Sequence, residues 1–134
     1  MNLLVIGSLN IDLVIKTERQ PKSGETIRGT DFVTVCGGKG GNQAIAAAKL
    51  GADVSMIGNV GDDDFGNMLV GNLKDEHIKV SGISKSEVSS GVAVINVFGN
   101  DNTIIVNSGA NGMLNRHHID KCKQMIMQCD AVLM

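Results

Sequence analysis

Apolar and polar positions along this chain switch between two periods, and the switches outline an α/β protein. Asn2 to Ser8 carries the near-continuous apolar run Leu3-Leu4-Val5-Ile6, which predicts a parallel strand buried on both faces. β-like segments follow around Leu13-Val14-Ile15 and from Thr26 to Cys36, parted by the turn signal Gln20-Pro21-Lys22-Ser23-Gly24. No helical period occurs in this stretch, so it reads as an antiparallel excursion over residues 13–36. An alanine-rich helix comes next, with Gly51 as its C-terminal cap, and then a strand around Val54, Met56 and Ile57 that ends in Gly58 to Gly66. Phe65, Met68, Leu69 and Leu73 fall at i, i+3, i+4 and i+8 and predict an amphipathic helix ending near His77. Gly91 to Phe98 and Thr103 to Val106 are apolar and β-branched around Gly99-Asn100-Asp101-Asn102, which gives a second β excursion over residues 91–107 with a hairpin turn. Asn115 then caps a helix with the stripe Ile119, Cys122, Ile126 and Cys129, and Ala131 to Met134 begins one more strand. A chain ending in a buried parallel strand reads as the first part of a longer domain.

The most informative stretch is Cys36-Gly37-Gly38-Lys39-Gly40-Gly41-Asn42-Gln43-Ala44, which joins a β segment to the alanine helix. A bare glycine cluster reads as a flexible connector. Here Lys39 adds a cation and Asn42 an amide with donors and an acceptor, so the stretch suits a hydroxylated or anionic small molecule. It is not a P-loop, because Lys39 is followed by Gly40 and no hydroxyl is placed for Mg²⁺. Nor is it a dinucleotide clamp, since the turn after the first strand reads Gly7-Ser8-Leu9-Asn10. Asn10 and Asp12 follow that strand at the end where open α/β sheets bind ligands, and on an extended chain they point the same way. The competing reading is a polar turn, against which Leu9, Ile11 and Leu13 interleave apolar residues. Asp62-Asp63-Asp64 reads as a helix start before it reads as a metal site, because consecutive residues cannot all face one ion. His77 reads as a solvated last-turn residue, and adjacent His117 and His118 point to different sides of their helix.

Composition narrows the classes. Lys plus Arg is 12 against 14 for Asp plus Glu, a net charge of −2 without a basic patch, which argues against nucleic acid. The apolar N-terminus is broken by Gly7, Asn10 and Asp12 and lacks a cationic lead, so it reads as a strand and neither a signal peptide nor a membrane span. Cys36, Cys122 and Cys129 are odd in number and show no C-x-x-C spacing, which suggests reduced thiols in a cytoplasmic protein, with Cys122 and Cys129 as core residues.

These motifs together resemble the PfkB, or ribokinase-like, carbohydrate kinases over the whole chain. The resemblance rests on Gly7-Ser8-Leu9-Asn10-Ile11-Asp12, Pro21-x-x-Gly24-Glu25-Thr26, the glycines, Asn42 and Ala44 of the run Gly37 to Gly61, Gly61-Asp62-Asp63 with Phe65-Gly66, and Gly109-Ala110-Asn111. It implies a three-layer α/β/α ribokinase-like fold, incomplete here, with a β lid inserted in the two excursions. It further implies that Asn10, Asp12, Gly37, Gly38, Lys39 and Asn42 bind sugar hydroxyls, with Ala93 and Ile95 as apolar cover. The parent enzyme implied is an ATP-dependent kinase acting on the 5-hydroxyl of ribose, using Mg²⁺ and a monovalent cation (K⁺), and dimeric through its lid. The family's Gly-Ala-Gly-Asp loop, carrying the catalytic base, occurs nowhere in these 134 residues, so the chain alone is expected to be inactive. The alternatives are a non-catalytic sugar-binding or dimerisation module, or a kinase of this family for deoxyribose, a nucleoside or fructose.

Overall fold

The computed structural model describes residues 1–134 as two four-stranded sheets. The first sheet is parallel throughout and has the order β5-β4-β1-β8, from β1 (Asn2–Ile6), β4 (Asp53–Gly61), β5 (Lys79–Ser86) and β8 (Ala131–Leu133). The helices α1 (Lys39–Lys49) and α2 (Asp64–Asp75) cover one face. There Leu3, Val5, Val54 and Met56 from the strands meet Ala44, Leu69 and Leu73 from the helices in one buried cluster. Alternation sends Leu4 and Ile57 to the opposite face, where both are fully buried. On that face lie the short helices α3 (Arg116–Lys121) and α4 (Lys123–Gln128). α4 approaches so closely that a Cβ at Gly82 would lie 2.8 Å from Ile57 and 3.3 Å from Met125. Helices on both sides of a parallel sheet make the three-layer α/β/α arrangement.

The second sheet has the order β3-β2-β6-β7, from β2 (Asn10–Thr17), β3 (Gly29–Gly37), β6 (Gly91–Phe98) and β7 (Asp101–Asn107). The pairs β2–β3 and β6–β7 are antiparallel hairpins, and β2 and β6 join them in parallel. The two excursions therefore form one sheet. At the tip of the first, Glu25 is clamped by the Arg19 guanidinium and accepts from the Lys22 N–H at 2.8 Å. The bonds from Arg19, then that from Lys22, hold the Glu25 carboxyl down at about 2.

One expectation needs correction, and two features add to the sequence pattern. The helix from Asn115 is not continuous: Cys122, at φ −95° and ψ 10°, breaks it into α3 and α4, and Cys129 lies beyond its end. Ile119, Cys122, Ile126 and Cys129 are consequently half-buried, and neither cysteine belongs to the core. Strand β5 has no counterpart in the apolar pattern, because its sequence Lys-Val-Ser-Gly-Ile-Ser-Lys-Ser pairs only with β4, at the edge of the sheet. Edge strands tolerate such polar, glycine-containing sequences. Finally, β4 runs on beyond its apolar part and includes Gly58 to Gly61. The aspartate run does start α2, as expected: Asp63 is its N-cap and accepts from the Gly66 N–H at 2.7 Å.

Candidate functional site

Chain geometry at the C-terminal end of β1 places the candidate residues. The chain leaves the first sheet at Gly7 and enters the second at Asn10, so Asn10 and Asp12 belong to β2 and not to the end of β1. Register pairs Asn10 with Gly37 and Gly91, and Asp12 with Val35 and Ala93. Asn10, Asp12, Gly37 and Ala93 thus share one face of the second sheet, with Ile95 two positions further along β6. Ala93 is buried and Ile95 half-buried.

The glycine run then turns from β3 into α1. Gly37 leaves room for a carboxylate, since a Cβ there would stand 2.3 Å from Asp12 Oδ2. Gly38 is the N-cap of α1 at φ 89° and ψ 137°, a conformation that disfavours any side chain. The first turn of α1 crosses the end of β1, where a Cβ at Gly40 would lie 2.7 Å from the Gly7 backbone. The Gly41 N–H also donates to the Ser8 carbonyl at 3.1 Å. Here the glycines serve close backbone contact as well as a turn. Lys39 and Asn42 emerge from this first turn three residues apart, both exposed and on neighbouring positions of the helix surface. No carboxylate pairs with Lys39 in any of the ion pairs of the chain.

Asp12 is half-buried without a charged partner, and burial alone pushes its carboxyl above the usual value. A carboxylate held this way is a free acceptor in search of donors. Burial, with a smaller contribution from the Asp12 charge, also pushes the Cys36 thiol up, which makes it a poor nucleophile.

Two polar groupings join residues far apart in the sequence. Asn111, in the short 3-10 turn Gly109–Met113, accepts from the Leu9 N–H at 2.9 Å and donates to the Leu9 carbonyl at 3.0 Å and to Asn10 Oδ1 at 2.7 Å. Asp63 accepts from the Ser90 N–H at 2.8 Å and the Ser90 hydroxyl at 2.7 Å, while Ser90 Oγ accepts from the Gly61 N–H at 2.9 Å. Burial opposes ionisation of Asp63, but the Ser90 and Gly66 bonds and the Lys85 charge outweigh it and hold the carboxyl low. A glycine motif marked Asn111, but only a fold brings it against Leu9 across 102 positions. Asn59, fully buried on β4, donates to Ser86 Oγ at 2.6 Å and leaves its own carbonyl oxygen without a partner. It lines a cavity of about 270 Å³ with Gly7, Ser8, Asn111 and Leu114. A cavity of about 570 Å³ lies at the opposite end of the sheet, among the starts of β1, β4 and β5 and the helix α4, away from these groups.

No three acidic, His or Cys side chains converge on one point. Asp62 is paired with Lys85 at 3.0 Å, and Asp63 is engaged by the start of α2 and by Ser90.

Comparison with known proteins agrees with this geometry. The chain is 43% identical over 133 residues to the ribokinase of Bacillus subtilis (strain 168), covering 98% of this chain and 45% of that one. It is 40% identical over 136 residues to the deoxyribokinase of Salmonella typhi, of which it covers 44%. The structure of ribokinase from Giardia lamblia superimposes with a TM-score of 0.89 at 33% identity, over 98% of this chain and 40% of that one. The chain spans slightly under half the length of the curated relatives it matches. The family model described as pfkB family carbohydrate kinase matches residues 1–134, and the chain belongs to that family.

Proposed function

We propose that this chain is the sugar-holding part of an ATP-dependent kinase that transfers the γ-phosphoryl group to the 5-hydroxyl of D-ribose. The observation that carries the reading is Asp12, a half-buried carboxylate with no partner, facing the space beside Gly37. An acceptor-only group there suits a ligand rich in hydroxyl donors, and Asn10, Lys39 and Asn42 supply N–H donors around it. Backbone at Gly37 and Gly38 admits the sugar closely, and Ala93 and Ile95 form the apolar cover over its carbon face. Ribokinase relatives support ribose as the sugar. ATP, with Mg²⁺ and a monovalent cation such as K⁺, belongs to the whole kinase, and no residue of this chain is assigned to hold it.

Residues 13–36 and 91–107 act as a lid over the sugar within one kinase domain, and the lid pairs two subunits. Its exposed apolar side chains, including Phe32, Ile104, Ile105 and Val106, support that pairing. The three free thiols suit a cytoplasmic protein, and no helix is long and apolar enough to cross a membrane. A second reading, 2-deoxyribose as the acceptor sugar, is favoured by the deoxyribokinase relatives. Titrating the chain with ribose, 2-deoxyribose and fructose by NMR tests both. Ribose-specific shifts at Asn10, Asp12 and Asn42 are expected, and their absence with every sugar overturns the proposal.

A further inference from the structure

We propose that Asn111 is a positioning residue that turns the Asn10 carboxamide so that Asn10 presents an N–H donor, beside the Asp12 acceptor, to a substrate hydroxyl. The inference rests on the sugar-kinase reading above and adds to it the polarity of the site.

That polarity starts in the backbone. The Leu9 N–H can only donate and its carbonyl can only accept. Asn111 Oδ1 takes the first at 2.9 Å and Asn111 Nδ2 reaches the second at 3.0 Å. Only one orientation of the Asn111 amide satisfies both bonds. Its Nδ2 then has a second proton, which points to an Asn10 side-chain atom at 2.7 Å. An acceptor must face that proton, so the Asn10 oxygen turns toward Asn111 and its NH2 group turns away. The NH2 group has no partner within the chain and remains available to a ligand.

A second observation shows that the amide pair is built in. A Cβ at Gly91 would lie 2.2 Å from Asn111 Nδ2 and 2.3 Å from Asn10 Oδ1. The pair fills the volume that any side chain at position 91 would occupy, and Gly91 sits directly opposite Asn10 in the sheet. Were the Asn10 amide reversed, its oxygen would join the Asp12 carboxylate as a second acceptor on the same strand face. That strand face would then offer only acceptors, leaving donation to Lys39 and Asn42 on α1. With Asn10 held by Asn111, the face offers one donor and one acceptor, the complement of a sugar in which one hydroxyl oxygen accepts while another hydroxyl donates.

Ribose affinities of the unaltered chain, N10A, N111A, N10A/N111A and N10D, read by NMR titration, form the test. N111A should weaken ribose roughly tenfold, the scale of one lost or misdirected hydrogen bond. Because Asn111 acts through Asn10, the double variant should be no weaker than N10A within about twofold, which independent sites would not show. Additive losses, or unchanged affinity in N111A, overturn the proposal. N10D keeps an oxygen toward Asn111 and so guards against a folding defect; it should lose ribose as N10A does, and retained affinity also overturns the proposal. If the unaltered chain binds no sugar at all, the proposal that it holds the sugar fails by itself. The orientation is then read from the Asn10 side-chain NH2 resonances, which should shift and broaden in N111A and which, if unmoved, overturn it.

Discussion

Asp12 sets function against stability within one residue. Burial raises its carboxyl above the ordinary value of 3.8, so the fold favours the protonated form relative to the unfolded chain. The stability this group contributes is full below the ordinary carboxylate range and is lost as the pH rises through the raised value. Asp12→Asn therefore should raise Tm near pH 7 and leave it little changed near pH 3. The same substitution should weaken ribose binding about tenfold to over a hundredfold, the scale of a lost charged acceptor worth roughly 1.5–3 kcal/mol. Sugar affinity of the unaltered chain should in turn fall as the pH drops through the raised pKa. Thermal melts and titrations at three pH values check all of this, and a lower Tm for Asp12→Asn at pH 7 would refute the burial argument. Asp63 has the opposite sign: its carboxyl is held low, so its contribution is present above the ordinary value and is lost as the pH falls through the depressed one. Asp63→Ala removes the cap of α2 and orphans the buried Ser90 hydroxyl and N–H. A loss of about 2–4 kcal/mol in urea unfolding is expected from those two costs together.

At the scale of elements, legibility followed the local side-chain pattern. β1 reads from four apolar residues in a row, α2 from its period, and β6 and β7 from their hairpin turn, because each carries its own side-chain pattern. β5 does not, since Val80 and Ile83, which pack against the core, are the only large apolar residues in this edge strand beside β4. The break at Cys122 was equally silent, as no Gly or Pro marks it. In the candidate site, Asn10 and Asp12 stood out because apolar Leu9, Ile11 and Leu13 interleave them, and the glycine run stood out because it carries Lys39 and Asn42. Ser90 carried no signal and Asn111 only its motif, because their contacts are long-range hydrogen bonds that no local pattern encodes. The second sheet adds an expectation of its own. Ile104 is 53% and Ile105 73% exposed on opposite faces of β7, too much apolar surface for a sheet that stands alone in water. Self-association through this sheet is expected, and Ile104→Glu/Ile105→Glu should shift the protein to monomer in sedimentation. A monomer of the unaltered chain at high micromolar concentration would count against it.

At the scale of the whole molecule, the proposed sugar site stands in a chain that spans under half the length of its kinase relatives. Phosphoryl transfer depends on positioning and on charge gathered around the γ-phosphate. Here no Walker loop and no Gly-Ala-Gly-Asp loop occurs. The acidic residues nearest the sheet ends are already engaged: Asp63 with Ser90 and Gly66, Asp62 with Lys85. Asp12 is unengaged, but in the role proposed for it, accepting sugar hydroxyls, it is not free to act as a base on the attacking oxygen. Lys39 is the one cation at the site without a carboxylate partner, and a single exposed ammonium cannot cradle three phosphates. The 134-residue chain should therefore bind ribose weakly and show no ribose-dependent ADP release. Calorimetry with ribose and with ATP, beside a coupled assay for ADP, reads both halves of this expectation. Ribose-dependent ADP release from the pure chain would defeat it, and would put a catalytic base among carboxylates that the fold otherwise uses to cap a helix and hold a sugar.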